Sequence, residues 1–248
     1  MPTGDERDLL DALPVRLGTV RQAVAAAARR VGRDPATVGI VAVTKTLPPA
    51  VVTAALAAGL TDVGENYVQE ATAKRHHVPA RASWHLIGGL QRNKVRAAVA
   101  VFERVHTVDS AALAEALGAV AVGRLPVLIQ VTVEGGAGRR GVPVDEVEIV
   151  ARAILARPTL ALEGLMTLPP PGRGAEENRR HFRTVREVRD VTAKRLGVEL
   201  PHLSMGMSDD FTVAVEEGAT WIRLGRALFG ARAPAGWRPG SSAGGEGS

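Results

Sequence analysis

Gly39-Ile40-Val41-Ala42-Val43-Thr44-Lys45-Thr46-Leu47-Pro48-Pro49 carries a continuous apolar run to a single lysine and then to two prolines. Ile40 to Val43 are apolar and mostly β-branched, the composition of a strand covered on both faces, as in a parallel sheet. Pro48 and Pro49 cannot extend such a strand but suit the first turn of a helix. Lys45 therefore stands where a parallel strand hands over to a helix, the end that carries the chemistry in barrels of alternating strands and helices. The chain has four lysines, Lys45, Lys74, Lys94 and Lys194, and the last three fall in polar helical stretches. An amine held against apolar walls loses solvation for its charged form, which lowers its pKa and makes it a candidate Schiff-base nucleophile. A solvated lysine that merely ends a strand fits the same residues.

A length of 248 residues suits one large domain or two small ones, and a (β/α)8 barrel falls in that range as one unit. Apolar residues make up 46% of the chain and aromatics 3%, so the core must be built from Val, Leu, Ile and Ala. The absence of Cys excludes disulfides, thiolate metal sites and cysteine nucleophiles together, and agrees with a reducing compartment. No apolar run reaches the length of a membrane span, and Met1 to Leu10 carries acids where a signal peptide would carry an apolar core. The expectation is a soluble, cytoplasmic protein. The net charge of +5 invites a nucleic-acid reading, yet the arginines alternate with acids along helical faces. Arg179 to Arg195, interleaved with Glu187 and Asp190, reads as a solvated salt-bridged face, and no aromatics are interleaved for base stacking. Neither nucleic acid nor membrane is expected as a partner.

Residues 8 to 32 open with a helical pattern that sets Val20, Val24 and Val31 on one face, with Pro14 delaying or kinking its start. After the Lys45 strand, Ala50 to Ala58 is a helix closed by Gly59. Further strands are expected at Asp62 to Glu65, Ser83 to Ile87, Arg104 to Val108, Pro126 to Val133, Leu160 to Leu168, His202 to Ser204 and Trp221 to Leu224. Helices are expected between them, at 67–77, 91–100, 111–122, 145–156, 175–196 and 209–217, with a short one at 227–231. The glycine-rich loop Glu134 to Gly141 reads as mobile and polar. Eight strands alternating with helices point to right-handed βαβ units closing into a barrel. An open doubly wound sheet is the alternative, but no Gly-x-Gly-x-x-Gly follows the first strand. The expected organisation is one barrel over residues 1–232 and a disordered tail over 233–248, where Pro, Gly and Ser dominate.

Just past the strands lie Lys45, Asn66, His85, Met166, Ser204 with Met205 and Gly206, and finally Arg223 with Gly225 and Arg226. On a barrel these converge on one mouth. Loops after the seventh and eighth strands are the usual phosphate cradle of this fold, so a phosphorylated carbonyl ligand is expected opposite the lysine.

The segments Ala42-Val43-Thr44-Lys45-Thr46, Gly64-Glu65-Asn66-Tyr67-Val68-Gln69-Glu70, Trp84-His85-Leu86-Ile87-Gly88, Gly164-Leu165-Met166, Leu203-Ser204-Met205-Gly206-Met207-Ser208-Asp209-Asp210 and Arg223-Leu224-Gly225 resemble the pyridoxal phosphate homeostasis proteins. That family looks like the barrel domain of alanine racemase standing alone, a fold type III pyridoxal phosphate protein, and the resemblance spans residues 8 to 232. It implies a pyridoxal 5'-phosphate bound covalently as the internal aldimine of Lys45. It implies too that Ser204, Gly225 and neighbouring amides hold the phosphate, and that Arg223 faces the pyridine nitrogen. Asn66, His85, Met166 and Met205 would line the pocket, with Gly206 and Arg226 beside the phosphate. Gly89 stands where the family pattern has proline, Arg92 where it has a small polar residue, and Arg226 where it often has threonine. Arg139 and Arg140 occupy positions where it tends to have lysine or another polar residue.

An enzyme of this cofactor works best with an acid at the pyridine nitrogen, and a guanidinium does the opposite. Alanine racemase shares that arginine, so the second acid/base decides more; in the racemase it comes from a further domain of the partner. Here only a tail is expected after residue 232, and the single tyrosine is Tyr67. The expected function is therefore a monomeric, non-catalytic carrier or buffer of pyridoxal phosphate in vitamin B6 and amino-acid homeostasis, with apo-enzymes of that cofactor as recipients. The alternatives are an amino-acid racemase using His85 or Tyr67, and a class I aldolase using the same lysine and phosphate cradle.

Overall fold

The computed structural model describes residues 4–134, 140–231, 237 and 239. The expected tail lies outside the described residues apart from Trp237 and Pro239, as does Arg139 with the middle of its glycine-rich loop.

The described residues form eight parallel barrel strands: β1 (Gly39–Val43), β2 (Asp62–Glu65), β3 (Ser83–Leu86), β4 (Arg104–Val108), β5 (Leu125–Thr132), β6 (Leu160–Thr167), β7 (His202–Ser204) and β8 (Trp221–Leu224). Each pairs with the next in sequence, and β1 closes on β8 with Val41 opposite Arg223. Closure leaves no edge strand. The two-residue pair Val142–Pro143 only extends the outer end of β5, where Val142 meets Val131. The expected barrel is therefore the observed one, and the open sheet is not.

Helices α1 (Gly4–Arg30), α2 (Pro49–Ala57), α3 (Val68–Arg75), α4 (Val95–Val99), α5 (Ala111–Gly118), α6 (Val147–Leu155), α7 (Arg179–Leu196), α8 (Phe211–Glu216) and α9 (Arg226–Phe229) surround the strands. Two expectations for α1 need correction. Pro14 does not delay it: the helix starts at Gly4 and continues unbroken past the proline, where Leu13, Leu17, Val20, Val24, Ala27 and Ala28 bury one continuous stripe that outweighs the lost backbone bond. Val31 lies beyond the helix end and is 45% exposed. Lys74, read from sequence as part of a polar helical stretch, is fully buried.

Inside the barrel the two ends differ. At the N-terminal end Trp221 stacks on His202 with centroids 3.9 Å apart, and the Arg104 guanidinium lies 4.5 Å from its ring. Gly39 makes room for this indole, since a Cβ there would sit 2.6 Å from Trp221 Cδ1. Val41, Leu128 and Met166 pack with Trp221 into a small apolar plug. Only the C-terminal mouth stays open. No described helix is long and apolar enough to cross a membrane.

Candidate functional site

A cavity of about 660 Å³ occupies the C-terminal mouth. Its wall comes from strand ends and the loops after them: Val43 at the end of β1 and Lys45 after it, Asn66 after β2, Gly88 and Gly89 after β3, Gln130 and Thr132 on β5. Leu168 to Arg173 follow β6, Met207 to Asp210 follow β7, and Arg223, Gly225 and Arg226 close the ring. The site thus draws on nearly every βα connection, as a barrel allows.

Lys45 is half-buried on this wall, two residues past the end of β1. The turn that presents it is unusual. Thr46 has φ 61°, the one positive φ at a non-glycine among the described residues. Beneath the turn, Lys74 Nζ contacts Glu65 Oε1 at 2.8 Å, Glu70 Oε2 at 3.4 Å and the Thr44 carbonyl at 2.8 Å. Two carboxyls sharing one ammonium in a buried space cannot both be ionised cheaply. Burial accordingly pushes Glu65 up to about 7, against the pull of Lys74.

Gly88 lets the β2 and β3 loops meet, because a Cβ at that position would sit 2.6 Å from Asn66 Cα. Asn66, like Lys45, lines the cavity wall.

Arg223 is the buried cation of the site, only 3% exposed. Nη1 donates to Ser204 Oγ at 2.8 Å and Nη2 to the Thr167 carbonyl at 2.8 Å. Among the described residues it forms no salt bridge, and burial brings its pKa down to about 10. A guanidinium hydrogen-bonded to neutral acceptors and facing a cavity, with the Asp210 carboxylate beyond ion-pair distance, is a preformed place for an electron-rich atom. Its backbone N–H donates to the Gly206 carbonyl at 3.0 Å, which ties the β7 turn to β8.

Of the residues singled out from sequence, Lys45, Asn66, Arg223, Gly225 and Arg226 line the cavity together. Five others take different places, among them Gly206, a buried turn residue off the wall whose carbonyl accepts from Arg223 N–H. Ser204 is fully buried, its hydroxyl committed to Arg223 and, at 2.8 Å, to His106 Nδ1, so the hydroxyl on the wall is that of Ser208. Ser208 Oγ accepts from Ala227 N–H at 3.1 Å and thereby joins the β7 turn to α9. His85 points deeper into the barrel, with Nδ1 2.9 Å from His106 Nε2 and Nε2 3.0 Å from Asp62 Oδ1. Met166 belongs to the interior plug, and Met205 faces outward into the apolar shell between strands and helices. Arg226 pairs its side chain at 2.5 Å with Asp209, which lines the same cavity. Tyr67 is 58% exposed and absent from the wall.

Sequence reasoning missed Gln130, Arg140, Asn178 and Asp210. The last two are linked, with Asn178 Nδ2 donating to Asp210 Oδ2 at 2.8 Å, while Asp210 Oδ1 accepts from Met207 N–H at 2.6 Å. The Asp210 carboxylate therefore shapes the β7 turn.

Residues 15–233 match the family described as alanine racemase, N-terminal domain. The chain is 44% identical over 210 residues to the pyridoxal phosphate homeostasis protein of Pseudomonas aeruginosa, covering 83% of this chain and 90% of that one. It is 38% identical over 226 residues to the protein of the same name from Escherichia coli, covering 87% and 95%. Among solved structures, PipY of Synechococcus elongatus with PLP bound superposes with a TM-score of 0.78 at 36% identity, covering 88% of this chain and all of that one. Alanine racemase from Corynebacterium glutamicum shares the fold, with a TM-score of 0.67 at 22% identity over 88% of this chain and 60% of the racemase.

Proposed function

The chain belongs to the alanine racemase N-terminal domain family and, within it, to the pyridoxal phosphate homeostasis proteins, and on that premise we propose that it binds pyridoxal 5'-phosphate and carries or buffers it without turnover. The observation that carries this reading is the pairing, on one cavity wall, of a lysine at a strand exit with a buried arginine that forms no salt bridge among the described residues. The donor set fits the group. Lys45 offers the amine for the aldehyde carbon, and Arg223 offers N–H to the ring nitrogen. The Ser208 hydroxyl and the backbone of Gly225 and Arg226 offer a cradle for the phosphate, across which Arg226 adds positive charge.

When bound, pyridoxal phosphate supplies an electron sink for bonds at an attached amine carbon, and a protonated ring nitrogen strengthens that sink. Arg223 has no acceptor to offer a ring N–H, and its charge disfavours protonation of that nitrogen. Neither candidate for a second acid/base lines the cavity, since His85 is turned to Asp62 and Tyr67 to solvent. Both features favour holding the cofactor over turning it over. The salt-bridged face of α7 and α8, where Arg179, Arg183 and Arg186 converge on Glu217, supports a monomer. A cytoplasmic location and transfer to apo-enzymes belong to the same reading.

The test is reduction of the loaded protein with borohydride, followed by peptide mass spectrometry. A single adduct on Lys45 is expected. An adduct on Lys74, Lys94 or Lys194, or none at saturating cofactor, overturns the assignment.

A further inference from the structure

Thr46 sits in a conformation that a β-branched residue strongly disfavours, directly after Lys45. It is held there from both sides. Its N–H donates to Glu70 Oε2 at 3.0 Å, and its carbonyl accepts from Trp237 N–H at 2.8 Å. On the other flank of Lys45, the Thr44 carbonyl accepts from Lys74 Nζ at 2.8 Å, and the Thr44 hydroxyl donates to Glu65 Oε1 at 2.6 Å.

We propose that Glu70 and Lys74, seated on Glu65, are positioning residues for Lys45: they grip the peptide units on its two sides and hold Thr46 left-handed, which turns the Lys45 amine into the cavity. The inference rests on reading Lys45 as the attachment point.

Three observations converge on it. None of Glu65, Glu70 and Lys74 lines the cavity, so they do not act by touching a ligand. Burying an ammonium is costly when a lysine on a helix could reach solvent, yet Lys74 is fully buried. The backbone groups this cluster bonds outside itself are those of Thr44 and Thr46, the immediate neighbours of Lys45. A cluster built for stability alone would have no reason to spend its hydrogen bonds on one strained turn.

The experiment uses the full chain and three variants: Glu70→Ala, Lys74→Met, and Glu70→Ala combined with Thr46→Asn. Asparagine enters the left-handed region far more readily than threonine, so it should take over the role of Glu70. Three quantities are read: the rate of the borohydride-trappable adduct on Lys45, competitive acylation of the Lys45 amine in the apo protein against Lys94, and binding of pyridoxine 5'-phosphate, which has no aldehyde. Glu70→Ala is expected to slow the adduct about tenfold, the scale of a modest misplacement of a reacting group. It should alter Lys45 acylation and leave pyridoxine 5'-phosphate affinity within about twofold. Thr46→Asn should restore most of the rate. Wild-type adduct rates in folded Glu70→Ala and Lys74→Met overturn the proposal, as does a loss that follows melting temperature and is not rescued. Should the wild type form no Lys45 adduct, the attachment reading falls, while the acylation arm still decides whether Glu70 sets the reactivity of that amine.

Discussion

The Arg140 guanidinium occupies the space that a side chain on Gly89 would fill, so that a Cβ at residue 89 would overlap Arg140 Nη1 and lie 2.7 Å from Cζ. Both residues line the cavity. Gly89→Ala should expel the guanidinium and lower affinity for pyridoxine 5'-phosphate about threefold at low salt, the worth of one exposed charge. The difference should vanish at high salt. Titrations at two ionic strengths check this, and equal affinities at low salt would refute it.

Arg223→Glu should keep covalent attachment at Lys45 while raising the proton affinity of the ring nitrogen, because a fixed cation is exchanged for an acid. The pH dependence of the visible band should move upward. An unmoved profile would separate Arg223 from the ring.

His106 is held well below the ordinary imidazole range by burial, with His85, Arg223 and Arg104 adding repulsion. Below about pH 6.5 the unfolded chain then binds more protons than the folded one. The stability concerned is complete above that pH and is lost as the pH falls. Urea melts should show wild type weakening between pH 7.5 and 5.5 more steeply than His106→Gln.

Glu65 carries the opposite sign. Its folded-state pKa of about 7 exceeds the ordinary 4.5, so its contribution is full below about pH 4.5 and gone above about pH 7. Glu65→Gln mimics the protonated form, and its stability relative to wild type should rise between pH 5 and pH 8. A constant difference across that range would show that Glu65 titrates normally.

Much of this was legible in the sequence. Ile40 to Val43 read as a doubly covered strand because nothing polar interrupts it, and β1 lies there with Lys45 at its exit. Strand ends are good guides to a barrel mouth, but not to which side chains reach it. Successive residues of a strand face opposite ways, so Met205 turns outward while its neighbour Ser204 turns inward. Inward residues are further sorted by depth, and depth depends on the stagger of the strands, which sequence does not show; hence His85 lies a layer below the cavity. The Glu70 and Lys74 pair has the spacing of a surface ion pair, and only the arrival of Glu65 from β2 makes it a buried one. Arg140 and Asn178 come from loops, whose course no periodicity reports.

The contacts from Arg223 to Asp62 through Ser204, His106 and His85 allow one direction only. A guanidinium can only give hydrogens and an ionised carboxylate can only receive them. With neutral imidazoles, Arg223 must donate to Ser204, Ser204 to His106 Nδ1, His106 Nε2 to His85 Nδ1, and His85 Nε2 to Asp62. Each ring has a single permitted tautomer. The barrel thus has a polar axis of its own, four aligned hydrogen bonds running from the cavity arginine to a carboxylate at the N-terminal end of the strands.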